Sequence, residues 1–174
     1  MSVRRDQLLE ATIDYLLANG VSGLSLRPLA AAIGTKARLL IYHFGSRDAL
    51  LSAALSVILQ RVQEEFLTMQ REASLERALI RFWNFATDKK NGGTLRLIFE
   101  VHGLAPHHPK MFGAYTRNAL ESWRRLLVQK IGGRRREERA TLIIAVVDGL
   151  LLDYLATGDR ARNTRALKGF IKTL

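Results

Sequence analysis

Apolar residues recur at intervals of three and four along most of this chain, which predicts helix after helix and no strand. The clearest stretch is residues 24–50, LSLRPLAAAIGTKARLLIYHFGSRDAL. Ser25 is placed to cap a short helix in which Leu26, Leu29, Ala30 and Ile33 keep helical spacing, and Gly34 stands where that helix must stop. Thr35 can cap a second helix running through Lys36, Ala37, Arg38, Leu39, Leu40, Ile41, Tyr42 and His43, with Leu40 and Phe44 facing inward. Ser46 can cap a third, whose apolar positions Leu50, Leu51, Ala54, Leu55, Ile58, Leu59, Val62 and Phe66 stay in register. That helix is long enough to act as a lever between two parts of the molecule.

Beyond it, a break near Ala73-Ser74 precedes a helix through about Lys89, and Asn91-Gly92-Gly93 reads as a stop. A further helix is expected from Thr94 towards Leu104, before Ala105-Pro106-His107-His108-Pro109 interrupts the pattern. Two long helices follow, about Lys110–Ile131 and Arg135–Thr157, then Gly158-Asp159 and a terminal helix with Leu167, Phe170 and Ile171. The fold class is all-α.

The 24–50 segment has the grammar of a helix-turn-helix. A short second helix with Lys36 and Arg38 exposed near its N-terminus suits a major groove, where long donors reach guanine edges and phosphates from a fixed backbone. An ordinary αα-hairpin has the same spacing and is the competing reading.

The residues themselves carry more than spacing. Ser25, Leu26, Arg27, Leu29, Ala30, Gly34, Leu40, Phe44, Ser46, Arg47, Asp48 and Leu50 fall in register, identical or conservatively replaced, with the pattern of the N-terminal domain of the TetR family of transcriptional regulators, which this segment resembles. Residues 4–20, ending at Asn19-Gly20, resemble that family's first helix, so the likeness covers about the first third of the chain. It departs in three places: Thr35-Lys36 replaces the usual valine-serine, Ile41 replaces the usual aromatic, and Pro28 enters the first turn of its helix, where no intrahelical N–H is lost.

Carried across residue by residue, the resemblance implies that Arg27, Lys36, Ala37, Arg38, Tyr42 and His43 face DNA, with Arg47 on a phosphate. Chemistry separates their roles. Arg38 can read guanine bidentately and Ala37 can touch a thymine methyl, while Arg27, Lys36 and Arg47 suit the backbone. Ile41 has no donor for a phosphate, which leaves that task to Tyr42 or His43.

Composition adds bounds. The chain has 174 residues, nearly half of them apolar, three prolines and no cysteine, so disulfides, thiolate metal sites and cysteine nucleophiles are excluded. No secretory leader and no uninterrupted apolar run of membrane length is read, and a soluble, cytoplasmic protein is expected. The net charge of +11 favours a polyanionic partner, yet residues 1–50 hold six basic and four acidic residues, so most of the excess lies elsewhere. The densest run, Arg134-Arg135-Arg136-Glu137-Glu138-Arg139, follows a Gly132-Gly133 turn and reads better as a solvated helix start than as a second nucleic-acid contact.

The helix through Leu142, Ile143, Ile144, Ala145, Val146, Val147, Leu150, Leu151, Leu152 and Leu155 is apolar around most of its circumference, with Gly149 permitting close backbone approach. The resemblance implies a homodimer formed through the helices near 110–131 and 135–157; a central core helix of a monomer is the alternative. Phe82, Phe85, Phe99, His102, Phe112, Tyr115, Trp123 and Asp148 are candidates to contact a small-molecule effector, although aromatics at helical spacing also make plain core. Asp148 and Asp153, set in apolar sequence, need partners, for which Arg124 is one candidate. His102, His107, His108 and Glu100 lack the spacing of a metal site, and neither a metal, a cofactor nor a catalytic triad is expected.

These features divide the chain into a three-helix helix-turn-helix DNA-binding domain at 1–48 and a helical-bundle effector-binding and dimerisation domain at 49–174. The resemblance implies a homodimeric repressor of a palindromic operator on double-stranded DNA, relieved by an effector of unknown identity, with no membrane partner and no enzymatic activity. The alternatives are a helical ligand-binding or scaffold protein that has lost specific DNA reading, motivated by Lys36 and Ile41, and a small helical enzyme.

Overall fold

Caps and glycine turns cut this helical sequence into nine α-helices, as seen in a computed structural model describing residues 3–71 and 74–174. They are α1 (Val3–Asn19), α2 (Leu26–Ala32), α3 (Ala37–Phe44), α4 (Arg47–Arg71), α5 (Leu75–Ala86), α6 (Gly92–Leu104), α7 (Ala114–Lys130), α8 (Arg136–Thr157) and α9 (Arg160–Ile171). No strand occurs among the described residues. Side-chain caps hold the starts of α4 and α9, that at Ser46 as expected, whereas Ser25 stands at the N-cap of α2 without a side-chain cap bond. Ser46 Oγ accepts from Ala49 N–H at 3.0 Å at the head of α4, and Asp159 accepts from Arg162 N–H at 2.9 Å at the head of α9.

Other boundaries moved. Lys36, not Thr35, occupies the N-cap position of α3, in extended backbone and without a side-chain cap bond. Gly92 and Gly93 lie inside the first turn of α6, which follows directly on the 3-10 turn Lys89–Asn91. Residues Pro109–Gly113 form a π turn before α7 begins at Ala114. At the break expected near Ala73-Ser74, Ala73 lies outside the described residues, and Ser74 caps α5 through Arg77 N–H.

The chain resolves into two compact units, Met1–Arg61 with Arg96–Thr116, and Val62–Leu95 with Arg117–Leu174. In the first, Leu8, Ile13 and Leu16 of α1 meet Leu29 of α2, Leu40 of α3 and Leu50 and Ala54 of α4, all nearly inaccessible to solvent. Leu97 and Val101 of α6 and Phe112 complete this core. Truncating any of these leucines to alanine costs about 2–5 kcal/mol, enough to threaten a headpiece of three short helices. Two charged contacts brace the same unit: Arg61 donates to Glu10 at 2.6 Å, and the Arg5 guanidinium lies 4.7 Å from the centre of the Phe44 ring.

In the second unit Trp83 is fully buried on α5, and its indole N–H donates to Thr164 Oγ1 of α9 at 2.8 Å. Arg160 donates to Thr87 Oγ1 and Asn84 Oδ1, so α9 is fastened to α5 by directed bonds as well as packing. Arg124 pairs with Glu121 and Glu137, and Asp153 pairs with Arg162 at 2.6 Å. The arginine suggested for the buried acids is thus committed elsewhere: Glu121 lies one turn from it along α7, and Glu137 opens α8.

Candidate nucleic-acid interface

The reading face begins with the stop of α2. Thr35 N–H donates to Ala30 O at 2.8 Å and Gly34 N–H to Ala31 O at 3.3 Å, the paired bonds of a Schellman cap, with Gly34 at φ +68°. Residues with side chains reach that φ at a cost, so glycine makes the turn tight and its angle definite. From there α3 starts within two residues. Its eight residues span about 12 Å, a length matched to the width of a major groove.

Burial sorts α3 into two faces. Leu40 and Phe44 are buried against the core, whereas Arg38, Ile41 and Tyr42 project outward one turn apart, flanked by exposed Lys36 at the N-cap. Tyr42 is 80% exposed, a costly placement for an aromatic ring unless something outside the chain receives it. His43 is half-buried and stands edge-on to Tyr42, with ring centres 5.1 Å apart. Ala37 is also half-buried, and Arg27 is exposed on α2.

Two placements were not anticipated. Ile41 shares the outward face at 40% exposure, where a methyl-bearing side chain can meet a thymine methyl. Its spacing of three from Arg38 carried that information, which the loss of a donor had overshadowed. Arg47 donates from Nε to Asp48 Oδ1 at 3.0 Å and, through a longer 3.4 Å contact, from Nη1 to Leu24 O. It holds the turn before α2 in this structure.

The effector candidates fall into groups. Phe82 and Trp123 join Phe66 in a triangle of edge-on rings with centres 5.3–5.5 Å apart, and Phe85 stacks obliquely on Phe82 at 6.3 Å. The middle of such a triangle is roughly 3 Å from each ring centre, inside carbon–carbon contact distance, so these rings fill one another's space. Phe99 and His102 meet at 6.3 Å in the first unit, where Phe112 is core and Tyr115 packs against that core. Burial lowers the His102 pKa below its ordinary 6.5 and pushes the Tyr115 phenol up to about 12, so both are neutral near pH 7. Asp148, on α8, is half-buried and has no ion-pair partner among the described residues; desolvation pushes its carboxyl up to about 6.

The pattern for bacterial regulatory proteins of the tetR family matches residues 8–54, which contain this whole face. The chain is 24% identical over 177 residues to the HTH-type transcriptional regulator BetI of Escherichia coli K12, covering 95% of this chain and 89% of that one. BetI of Stenotrophomonas maltophilia is 26% identical over 114 residues, 63% of this chain and 58% of that protein. Among solved structures, a TetR-family regulator from Cytophaga hutchinsonii superposes with a TM-score of 0.84 at 19% identity, covering 98% of this chain and 94% of its own. A putative transcriptional regulator from Saccharomonospora viridis in complex with choline gives 0.81 at 20% identity, covering 99% and 97%.

Proposed function

From the premise that this chain belongs to the TetR family and is a DNA-binding transcriptional regulator, we propose that it is a cytoplasmic, homodimeric repressor whose grip on a palindromic operator is released by a small molecule. Residues 1–48 make the DNA contacts, and residues 49–174 serve dimerisation and the effector. The observation that carries the DNA reading is the outward face of α3, where Arg38, Ile41 and Tyr42 stand on a helix locked from behind by Leu40 and Phe44. Arg38 reads guanine; Ala37 and Ile41 meet thymine methyls; Arg27, Lys36, Tyr42, His43 and Arg47 hold phosphates.

Dimerisation draws on α8. Leu142, Ala145, Gly149, Leu152 and Ala156 are all exposed and follow a three-four-three-four spacing, an apolar seam uncovered in the single chain. Leu142 and Leu152 are 53% and 54% exposed, and the small residues between them let a second helix approach closely. The helix is also long and apolar enough on average to cross a membrane. Asp148 in its middle and the narrow seam favour a second copy of the chain, with α7 beside α8 contributing the exposed Leu120. A two-fold dimer then presents two α3 helices to two half-sites, and an effector that prefers another spacing of those helices lowers operator affinity.

For the effector we propose a small organic cation, with Asp148 as its counter-ion. An unpaired, half-buried carboxylate and the choline complex of the Saccharomonospora viridis regulator support that class. Selection of duplexes from a random pool at two salt concentrations tests the DNA reading. A palindromic site surviving the higher salt is expected; sequence-blind, salt-sensitive binding alone overturns it. Titration with choline and simple amines between pH 5 and 8 tests the effector class, which fails if none releases operator.

A further inference from the structure

Glu100 sits in the middle of α6, 79 residues from the turn that it grips. Val21 N–H is shared between Oε1 at 3.1 Å and Oε2 at 3.0 Å, and Ser22 N–H donates to Oε1 at 2.7 Å. Both amides belong to the turn between α1 and α2. Gly20 completes the cradle: its φ is +76°, and a Cβ there would lie 2.4 Å from Glu100 Oε2. Glycine is therefore required twice, once by conformation and once by the carboxylate pressing against it.

The placement is specific in other ways. Leu97, Glu100, Val101 and Leu104 share one face of α6, and Leu97 and Val101 are buried in the headpiece core, so the carboxylate is the one ionisable group on an apolar stripe. Backbone donors satisfy its charge in place of a cation. Val21 is buried too, which aims its N–H, and the chain enters α2 only five residues later at Leu26. On the other side of the turn, Arg47 of α4 contacts Leu24 O. The segment leading into the helix-turn-helix is held by an acceptor from α6 and a donor from α4.

We propose that Glu100 is a positioning residue for operator reading: by capturing the amides of Val21 and Ser22 it sets where α2 starts, and with it the angle at which α3 is presented to a groove. It lies outside residues 8–54, so operator affinity in this chain depends on a side chain beyond the helix-turn-helix itself. The inference rests on the DNA reading above.

The test compares operator binding, nonspecific binding and melting temperature for the wild-type dimer, Glu100→Gln, Gly20→Ala and the double variant Gly20→Ala with Glu100→Ala. Glutamine keeps the size of the side chain but offers one carbonyl oxygen and turns an NH2 towards donors. Operator affinity is expected to fall about tenfold or more in Glu100→Gln, with nonspecific binding within about twofold and faster exchange at the Val21 and Ser22 amides. Gly20→Ala should reproduce the loss, and removing the carboxylate in the double variant should make the two effects less than additive. Operator affinity unchanged within about twofold in Glu100→Gln, or specific and nonspecific binding lost together with the fold, overturns the proposal. If the wild-type chain selects no operator, the DNA reading fails instead, and the clamp with it.

Discussion

The two outward helical faces of this molecule are built on opposite principles. On α3, in the first unit, the exposed residues are Arg38, Ile41 and Tyr42 on a helix of eight residues; on α8, in the second, the exposed apolar and small positions are Leu142, Ala145, Gly149, Leu152 and Ala156 on a helix of 22. A short face with long donors suits a rigid polyanion whose hydrogen-bonding groups lie at fixed positions. A long seam of leucine and small residues suits another helix, where area and close approach supply the affinity. Overall charge does not predict which face does which. Residues 117–174 carry 13 basic and six acidic residues and include the apolar seam, whereas the candidate nucleic-acid face presents only a few cations.

The largest expected effect comes from breaking the seam. Leu142→Glu combined with Leu152→Glu should give a monomer by sedimentation and weaken operator binding by about 100-fold or more, since the second half-site no longer adds to the first. An intact dimer with those substitutions would assign dimerisation to another face.

Asp148 sharpens the comparison from inside α8. Its carboxyl has a pKa of about 6 in the folded chain against 3.8 as its ordinary value, so between those two values the folded state binds more protons than the unfolded one. Stability therefore falls as pH rises through that window, by up to about 3 kcal/mol once the group is fully charged. Asp148→Asn should raise the melting temperature above pH 6 and lose that advantage below about pH 4. A cationic effector should bind the wild-type protein more weakly as pH falls below 6, and the variant weakly at every pH.

On the DNA side, Arg38→Ala should cost about 1–3 kcal/mol of base discrimination while leaving nonspecific binding nearly unchanged. A uniform loss across sequences would assign Arg38 to the phosphates instead. Smallest of all, Ile41→Tyr should add a phosphate donor and raise affinity a few-fold for every sequence, by about 0.5–1.5 kcal/mol; a change of base preference at one position would show that Ile41 reads a methyl group.

The helices and turns that frame the candidate nucleic-acid face are legible in the sequence. The spacing of Leu29, Ala30, Leu40 and Phe44, the glycine at 34 and the serine at 46 are local signals, and each acts within one or two helical turns. The seam on α8 was visible only as a helix apolar all round; burial of Ile143, Val147 and Leu151 on one side was needed to show which positions remain uncovered. Arg47 illustrates the limit for long polar side chains. Position in the pattern suggests a phosphate, and the fold adds two neighbours that the pattern does not show, Leu24 O and Asp48. Likewise the aromatic residues at 66, 82 and 123 were equally compatible with a cavity lining and with core, and only ring geometry shows them packed on one another.

The amino-acid sequence by itself determined the helical class, the glycine turn at 34, the cap at Ser46 and the inward face of α3, because periodicity and capping are interactions among near neighbours along the chain. Tertiary structure decided which partner each long side chain takes: Arg124 goes to Glu121 and Glu137, Asp153 to Arg162, and Glu100 to the amides of Val21 and Ser22. A flexible charged side chain can reach several partners, and the choice among them depends on residues tens of positions away that only folding brings within hydrogen-bond distance.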